Sequence, residues 1–215
     1  MSTRDRIIKG LLFLAILIYY VGGYFLIGFA TAHRSGIHRI ALPYESQIPF
    51  VPEMIFAYLL IYAFTASAYV GIDDLAFFKK VVKSFFLCVS FHFIFFLVFP
   101  VEYTLRPSLD YGGSWLNKLI VFYYWLDPVY NCFPSLHVSN VFLVSFFFER
   151  YRKGLGKIFF PFAWLVAVSV VFVKQHYILD VVSGIFVGWL CYRIVFKPIS
   201  LTKGVRIFQA PRSAP

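Results

Sequence analysis

Charge is what this chain has least of. Asp, Glu, Lys and Arg together make up 14% of 215 residues and only 10 side chains are acidic, whereas 60% of the residues are hydrophobic and the mean hydropathy is +0.77. Such a surface is too apolar to be solvated as a water-soluble globule, so the composition calls for a polytopic membrane protein. Cysteine is scarce too. Cys88, Cys132 and Cys191 cannot all pair with one another and show no Cys-x-x-Cys spacing, which leaves neither a disulfide framework nor a zinc site. Internal repeats and low-complexity segments are absent. A net charge of +10 raises the question of nucleic acid. The basic residues, however, fall mostly in short connections between apolar runs, where membrane topology accounts for them and no nucleic-acid partner is expected.

Aromatic residues are abundant: 28 Phe and 15 Tyr suit lipid-facing helices and interfacial belts. Six apolar segments emerge, at about 10–31, 53–71, 84–101, 135–150, 158–174 and 177–196. None has a charge at its centre, and each is near the ~20 residues needed to cross ~30 Å of hydrocarbon. The expectation is therefore an all-α bundle of six transmembrane helices, with residues 1–197 forming one domain and 198–215 a basic tail. The fourth and fifth segments are short, with Arg150, Tyr151 and Lys157 as interfacial ends. Arg4, Arg6 and Lys9 precede the first segment as in a signal peptide. That segment runs on to about Ala32 without a convincing cleavage site, so it reads as a retained anchor. Pro43, Pro49 and Pro52 make 33–52 a loop. The longest connection, 102–134, is long enough to suggest function and contains an apolar stretch, Leu116 to Leu126, that suits a helix lying on the membrane surface.

Counting Lys and Arg on alternate sides of these spans puts fifteen on one side and five on the other. By the positive-inside rule both termini are cytoplasmic. Arg106, His137, Lys174 and His176 then share the non-cytoplasmic side. The chain from His137 to His176 is long enough for two crossings and a tight turn, so the two histidines are expected to meet at one membrane face. Cys132, in the same loop, is expected to offer its thiol to an impermeant reagent, while Cys88 and Cys191 lie within spans.

Ionisable groups at the ends of apolar runs are costly and usually mark function. His176 and Asp180 are four apart, so on a helix the carboxylate can hold one imidazole nitrogen and leave the other free for nucleophilic or general-base work. Three motifs stand in order: Leu105-Arg106-Pro107, then Pro134-Ser135-Leu136-His137, then Lys174-Gln175-His176 with Asp180. Together they resemble the type 2 phosphatidic acid phosphatase superfamily, whose motifs are Lys-x6-Arg-Pro, Pro-Ser-Gly-His and Ser-Arg-x5-His-x3-Asp. The departures are Phe99 in place of the first Lys, Leu136 in place of Gly, and Ser169-Val170 in place of Ser-Arg. Pro-Ser-Leu-His and Gln-His-Tyr look more like the inositol phosphorylceramide synthase branch, which includes phosphotransferases.

The resemblance implies a six-span lipid-phosphate phosphatase, or a related phosphotransferase, working on a phosphate-bearing lipid at the outer interface. His176 would attack phosphorus to give a phosphohistidine, and Asp180 would hold its tautomer. His137 would act as general acid and then base. Arg106, Ser135 and Lys174 would bind phosphate, with no metal and no cofactor. Two other classes remain in view. A proton-coupled transporter would spread such residues deeper and over several helices. A metal site built from His137, His176 and Asp180 is disfavoured by the nearby Arg106 and Lys174, whose charges suit phosphate better than a dication.

Overall fold

A computed structural model of the chain describes residues 1–32, 34–109, 113–127 and 129–196; the basic tail expected at 198–215 lies outside them. Helix α1 (Thr3–Thr31) starts at a capping box in which Ser2 and Asp5 satisfy each other's backbone N–H groups. The second rod runs from Pro52 to Gly71. It opens as a 3-10 turn (Pro52–Met54), continues as α2 (Ile55–Tyr58), breaks at Leu59 and resumes as α3 (Leu60–Gly71). Helices α4 (Leu75–Val98), α5 (Trp115–Leu126) and α6 (Leu136–Tyr151) are capped by the side chains of Asp74, Ser114 and Ser135 respectively. Helices α7 (Gly156–Phe172) and α8 (Ile178–Phe196) complete the bundle. Among the described residues there is no strand, only isolated bridges joining His38, Val101 and Asn131.

The all-α bundle is as expected, but the count of full crossings differs. Among the described residues four rods are long and apolar enough to span a membrane: α1, Pro52–Gly71, α4 and α8. Helices α6 and α7 have 16 and 17 residues, or ~24–26 Å at ~1.5 Å per residue, short of a ~30 Å hydrocarbon core. The reason is clearest for α6, which packs against α3, α4, α7 and α8 and buries residues around its whole circumference. A helix surrounded by helices needs neither full bilayer length nor an unbroken apolar sequence. Helix α4 also begins at Leu75 rather than near residue 84, because Lys79, Lys80 and Lys83 sit exposed on its first turns instead of ending it.

The closest crossing joins α6 to α8. A methyl group on Gly184 would come within 2.6 Å of the Ser135 carbonyl, and one on Gly188 within 2.7 Å of the Ser139 carbonyl. Two glycines one turn apart thus let backbone approach backbone, the device by which small residues bring membrane helices together. At the same crossing the Ser139 hydroxyl lies 2.7 Å from the Gly184 carbonyl and 3.0 Å from His92 Nε2, so one side chain links α4, α6 and α8. The loops at this end of the bundle are knitted over the helix starts. His38 and Glu102 donate their N–H groups to the Pro100 and His38 carbonyls, Tyr103 to Val129, and Val51 to Phe172 at the end of α7.

Gly184→Ala is expected to force this crossing apart and to destabilise the solubilised protein by about 1–3 kcal/mol, the usual penalty of overpacking. Gly22→Ala, where an added methyl meets nothing within 4 Å, serves as the control. Equal thermal midpoints for the two variants would contradict this account of the crossing.

Candidate active site

Two helix starts and one helix end converge to build the site. Ser135 accepts the Val138 N–H through its hydroxyl, fixing the first turn of α6, and donates its own N–H to the Asp180 carbonyl in the first turn of α8. Helix α7 ends in a Schellman turn: Lys174 N–H donates to the Val171 carbonyl and Gln175 N–H to that of Val170. The residue that must turn left-handed there is usually glycine; here it is Lys174, at φ 56. The reversal carries Gln175 and His176 back toward α6.

The two imidazoles meet at 3.2 Å, His137 Nδ1 against His176 Nε2. His176 Nδ1 lies 3.2 Å from Asp180 Oδ2, an oxygen that also accepts the Tyr177 N–H at 2.8 Å and the Cys132 thiol at 2.7 Å. Asp180 is fully buried and its Oδ2 accepts from the Tyr177 N–H and the Cys132 thiol, so it faces His176 as an acceptor: Nδ1 of His176 donates to it and Nε2 is left toward His137. On the far side, His137 Nε2 is 3.0 Å from the Tyr58 hydroxyl and 3.8 Å from Asp127 Oδ2. Tyr58 and Tyr24 both donate to the Asp127 carboxylate. The result is a buried chain of polar groups with a carboxylate at each end and two imidazoles between.

The remaining sequence-predicted residues divide. Arg106 is brought to the rim, stacked on the Tyr124 ring, with its guanidinium donating to the Tyr124 and Asp127 carbonyls and to the Gln175 side chain. Its Nε–H has no partner among the described residues. Ser135 stands beside the pair as the α6 cap. Lys174 is not brought to it: its ammonium donates to the Ile48 carbonyl at 2.6 Å and to that of Glu45 at 3.4 Å. Burial pushes the Lys174 pKa down, with Glu45 opposing that shift. The expected role of Lys174 in binding phosphate has no geometric support, because the left-handed turn that presents His176 sends the lysine outward to the 45–48 loop. Phe99, at the place of the first family Lys, stacks on His38.

Tyr24 and Tyr58 were not singled out by the sequence, and Gln175 stood in the third motif without a role of its own. Tyr24 and Tyr58 are two of fifteen tyrosines in apolar runs, with no local mark to distinguish them. Asp127 precedes a proline, a pairing common in loops that carries no mark of function; Pro128 lies outside the described residues.

One cluster among the described residues has the donors of a metal site. The Cys132 thiol, His176 Nδ1 and an Asp180 oxygen lie within 4.8 Å of one another. Burial, and after it the Asp180 charge, pushes the Cys132 thiol well above its ordinary pKa. That favours a neutral S–H donating to the carboxylate over the thiolate that a metal requires.

Comparison with known proteins bears on the same stretch. Residues 101–200 match a family model described as the PAP2 superfamily. Through this stretch the chain is similar to the PAP2 superfamily. The match takes in Arg106, Asp127, Cys132, Ser135, His137, His176 and Asp180, while Tyr24 and Tyr58 lie outside it. With four membrane-length helices, the chain is an integral membrane protein. Over 73 residues it is also 34% identical to an uncharacterized protein of Methanocaldococcus jannaschii, a similarity covering 33% of this chain and 30% of that protein. The chain therefore aligns with under a third of that relative's length.

The structure overturns one expectation about accessibility. Cys132 is 3% exposed and its thiol is engaged by Asp180, so the loop thiol is not presented to solvent. An impermeant maleimide is expected to spare Cys132 in the folded protein and to label it after denaturation; rapid labelling of the native thiol would refute the Cys132–Asp180 contact.

Proposed function

We propose that the chain is a membrane lipid-phosphate phosphatase that works through a phosphohistidine, and that its nearest alternative is a phosphotransferase passing the phosphate-bearing group to a lipid alcohol. The observation that carries this reading is the array of Asp180, His176 and His137, in which Nε2 of one oriented imidazole faces the second imidazole at 3.2 Å. His176 Nε2 attacks phosphorus as the bond to the leaving oxygen breaks. His137 delivers a proton to that oxygen, then removes one from the incoming water or alcohol, which displaces His176 and restores it. Asp180 holds the Nδ1 proton and stabilises the imidazolium character that develops on His176. Arg106 and the free N–H groups at the start of α6 face the developing charge on the non-bridging oxygens. Asp127 and Tyr58 position His137 from its other side, as Asp180 positions His176.

The substrate class is a phosphate-headed lipid, a phospholipid or isoprenyl (di)phosphate that enters from the bilayer. The phosphotransferase alternative rests on the Pro134-Ser135-Leu136-His137 and Gln175-His176-Tyr177 stretches, which resemble the inositol phosphorylceramide synthase branch. Assaying a panel of lipid phosphates for free phosphate against lipid-linked product separates the two. Ion flux without turnover of any lipid phosphate would favour a transporter instead.

His176→Ala is expected to abolish turnover and His137→Ala to lower it by ~10²–10⁴-fold, the usual worth of general acid–base help. Asp180→Asn should leave weak activity, since geometry survives but the counter-charge does not. Asp127→Asn and Tyr58→Phe should each cost less, on the order of 10–10²-fold. Full activity in the His176 variant would end the phosphohistidine scheme, as would loss of activity in EDTA with recovery in zinc, which would turn the Cys132–His176–Asp180 cluster into a metal centre.

By the Lys and Arg bias, the site faces the non-cytoplasmic side and both termini the cytoplasm. Exposed cysteines introduced at Ser108 and Lys153 test this in intact cells. Ser108→Cys should label with an impermeant reagent from outside and Lys153→Cys only after lysis; the reverse pattern would invert the topology.

A further inference from the structure

Behind His176, on the edge of its ring away from His137, three side chains meet in a way that phosphoryl transfer does not use. Cys132 Sγ lies 3.6 Å from His176 Nδ1 and 2.7 Å from Asp180 Oδ2, and those two atoms are 3.2 Å apart. Zinc held tetrahedrally at ~2.3 Å from sulfur and ~2.0 Å from nitrogen and oxygen separates sulfur from nitrogen by ~3.5 Å and nitrogen from oxygen by ~3.3 Å. Two of the three edges already have the spacing of a coordination sphere. The third, thiol to carboxylate, is short because a proton lies in it, and it has to open by only ~0.8 Å when that proton leaves. Asp180 also has an oxygen to spare: Oδ1 is buried and has no partner among the described residues, while Oδ2 keeps the Tyr177 N–H. A hydrogen bond of that kind is what orients a ligating carboxylate.

Charge balance decides whether an ion can rest in so buried a place. A divalent ion that displaces the thiol proton meets one thiolate, one carboxylate and one neutral imidazole, so the filled cluster is neutral and carries no net charge into the low-dielectric interior. Of the two cations that would oppose a dication, Lys174 is turned away to the Glu45 and Ile48 carbonyls. The terminal nitrogens of Arg106 are taken up by the Tyr124 and Asp127 carbonyls and by Gln175. A thiol and an imidazole select the ion, since magnesium and calcium require oxygen ligands and the softer zinc and cadmium do not.

We propose that Cys132, His176 Nδ1 and Asp180 form an inhibitory site for a thiophilic divalent cation of the zinc and cadmium class. The inhibition rests on the phosphohistidine reading, but the metal site itself can be tested without turnover. A neutral imidazole bound to metal through Nδ1 carries its proton on Nε2, and that nitrogen then has no lone pair with which to attack phosphorus. The protons balance: His176 loses one at Nδ1 and gains one at Nε2, the thiol loses one, and a single proton is released for each ion bound. Because the thiol is neutral at rest, the ion is no resident cofactor and fills the site only when supplied. Cys132 is packed with Val101, Tyr103 and Tyr177, and Val101 and Tyr103 are tied to Asn131 and Val129. Entry therefore requires these segments to part locally, which makes the inhibition slow in onset.

The probe is cobalt(II), added to the full chain after solubilisation and removal of metal, because it takes the place of zinc in tetrahedral sites and a cobalt–thiolate bond adds a charge-transfer absorption. This band is expected with the unaltered protein and with a Cys88→Ser, Cys191→Ser double variant, and not with Cys132→Ser; zinc should abolish it and magnesium leave it. The double variant keeps Cys132 as its only thiol, so its band assigns the sulfur even if Cys132→Ser fails to fold. In turnover, zinc is expected to inhibit progressively and EDTA to restore the rate. Cys132→Ser should raise the zinc concentration for half-inhibition, measured against its own uninhibited rate, by at least ~10-fold, the least that even an outer partner of a ligand is worth. No band in the double variant, a band that survives Cys132→Ser, or half-inhibition unmoved by that substitution would each overturn the proposal. The cobalt spectrum without turnover of any lipid phosphate would keep the metal site and reject the phosphoryl-transfer reading. Zinc restoring a rate that EDTA had removed would make the cluster a catalytic centre and overturn both.

Discussion

The contact on which the site depends is the backbone-to-backbone approach of α6 and α8. Gly184 and Gly188 leave no side chain between the helices, and Ser135 and Ser139 fill the contact with hydrogen bonds instead of bulk. Only at that separation does an imidazole from the first turn of α6 reach one that precedes the first turn of α8. Lipid gives helices no hydrophobic reason to associate, so close packing and internal hydrogen bonds must hold them together. The Ser135 N–H bond to the Asp180 carbonyl sits within this contact and joins the cap of α6 to the residue that orients His176. Helix packing and the geometry of the candidate site are here the same set of atoms.

Burying two carboxylates and two imidazoles is expensive unless each has partners. Asp180 has three donors on a single oxygen, Oδ2, and Asp127 has two tyrosine hydroxyls. Arg106 contributes differently from what a phosphate-binding arginine alone would do. Its hydrogen bonds go to the Tyr124 and Asp127 carbonyls at the end of α5 and to the Gln175 side chain, so it locks the long loop against the third motif while its Nε–H is unpaired among the described residues. A guanidinium held in this way is already ordered before any anion arrives, and little rotamer entropy is left to lose on binding.

The helices were largely legible because apolar runs and caps are local signals. The helix expected at Leu116 to Leu126 is α5, Trp115–Leu126. What failed was whatever depended on three dimensions. Lysines on the first turns of α4 looked like the end of a span, yet their stems follow the helix while their charges reach water. Lys174 looked like a cation beside His176; nothing in the sequence announces that a lysine takes the left-handed position of a Schellman turn, where glycine is the usual sign. Tyr24, Tyr58 and Asp127 come from three segments far apart in the chain, and only the packed bundle makes them one cluster.

The shortness of α6 then has a structural meaning. Its start is flanked by the longer helices α4 and α8, and the Ser135 N–H bond to the Asp180 carbonyl sets it level with the first turn of α8, inside the bundle. A polar helix start at that depth would be intolerable against lipid, because its first N–H groups would have no partner. Enclosed by Ser135, Asp180 and the loops, the same unpaired donors sit in a low-dielectric pocket where each interaction with an anion is strengthened. The short central helix thus begins where its first turn meets the first turn of α8 and the two imidazoles can touch.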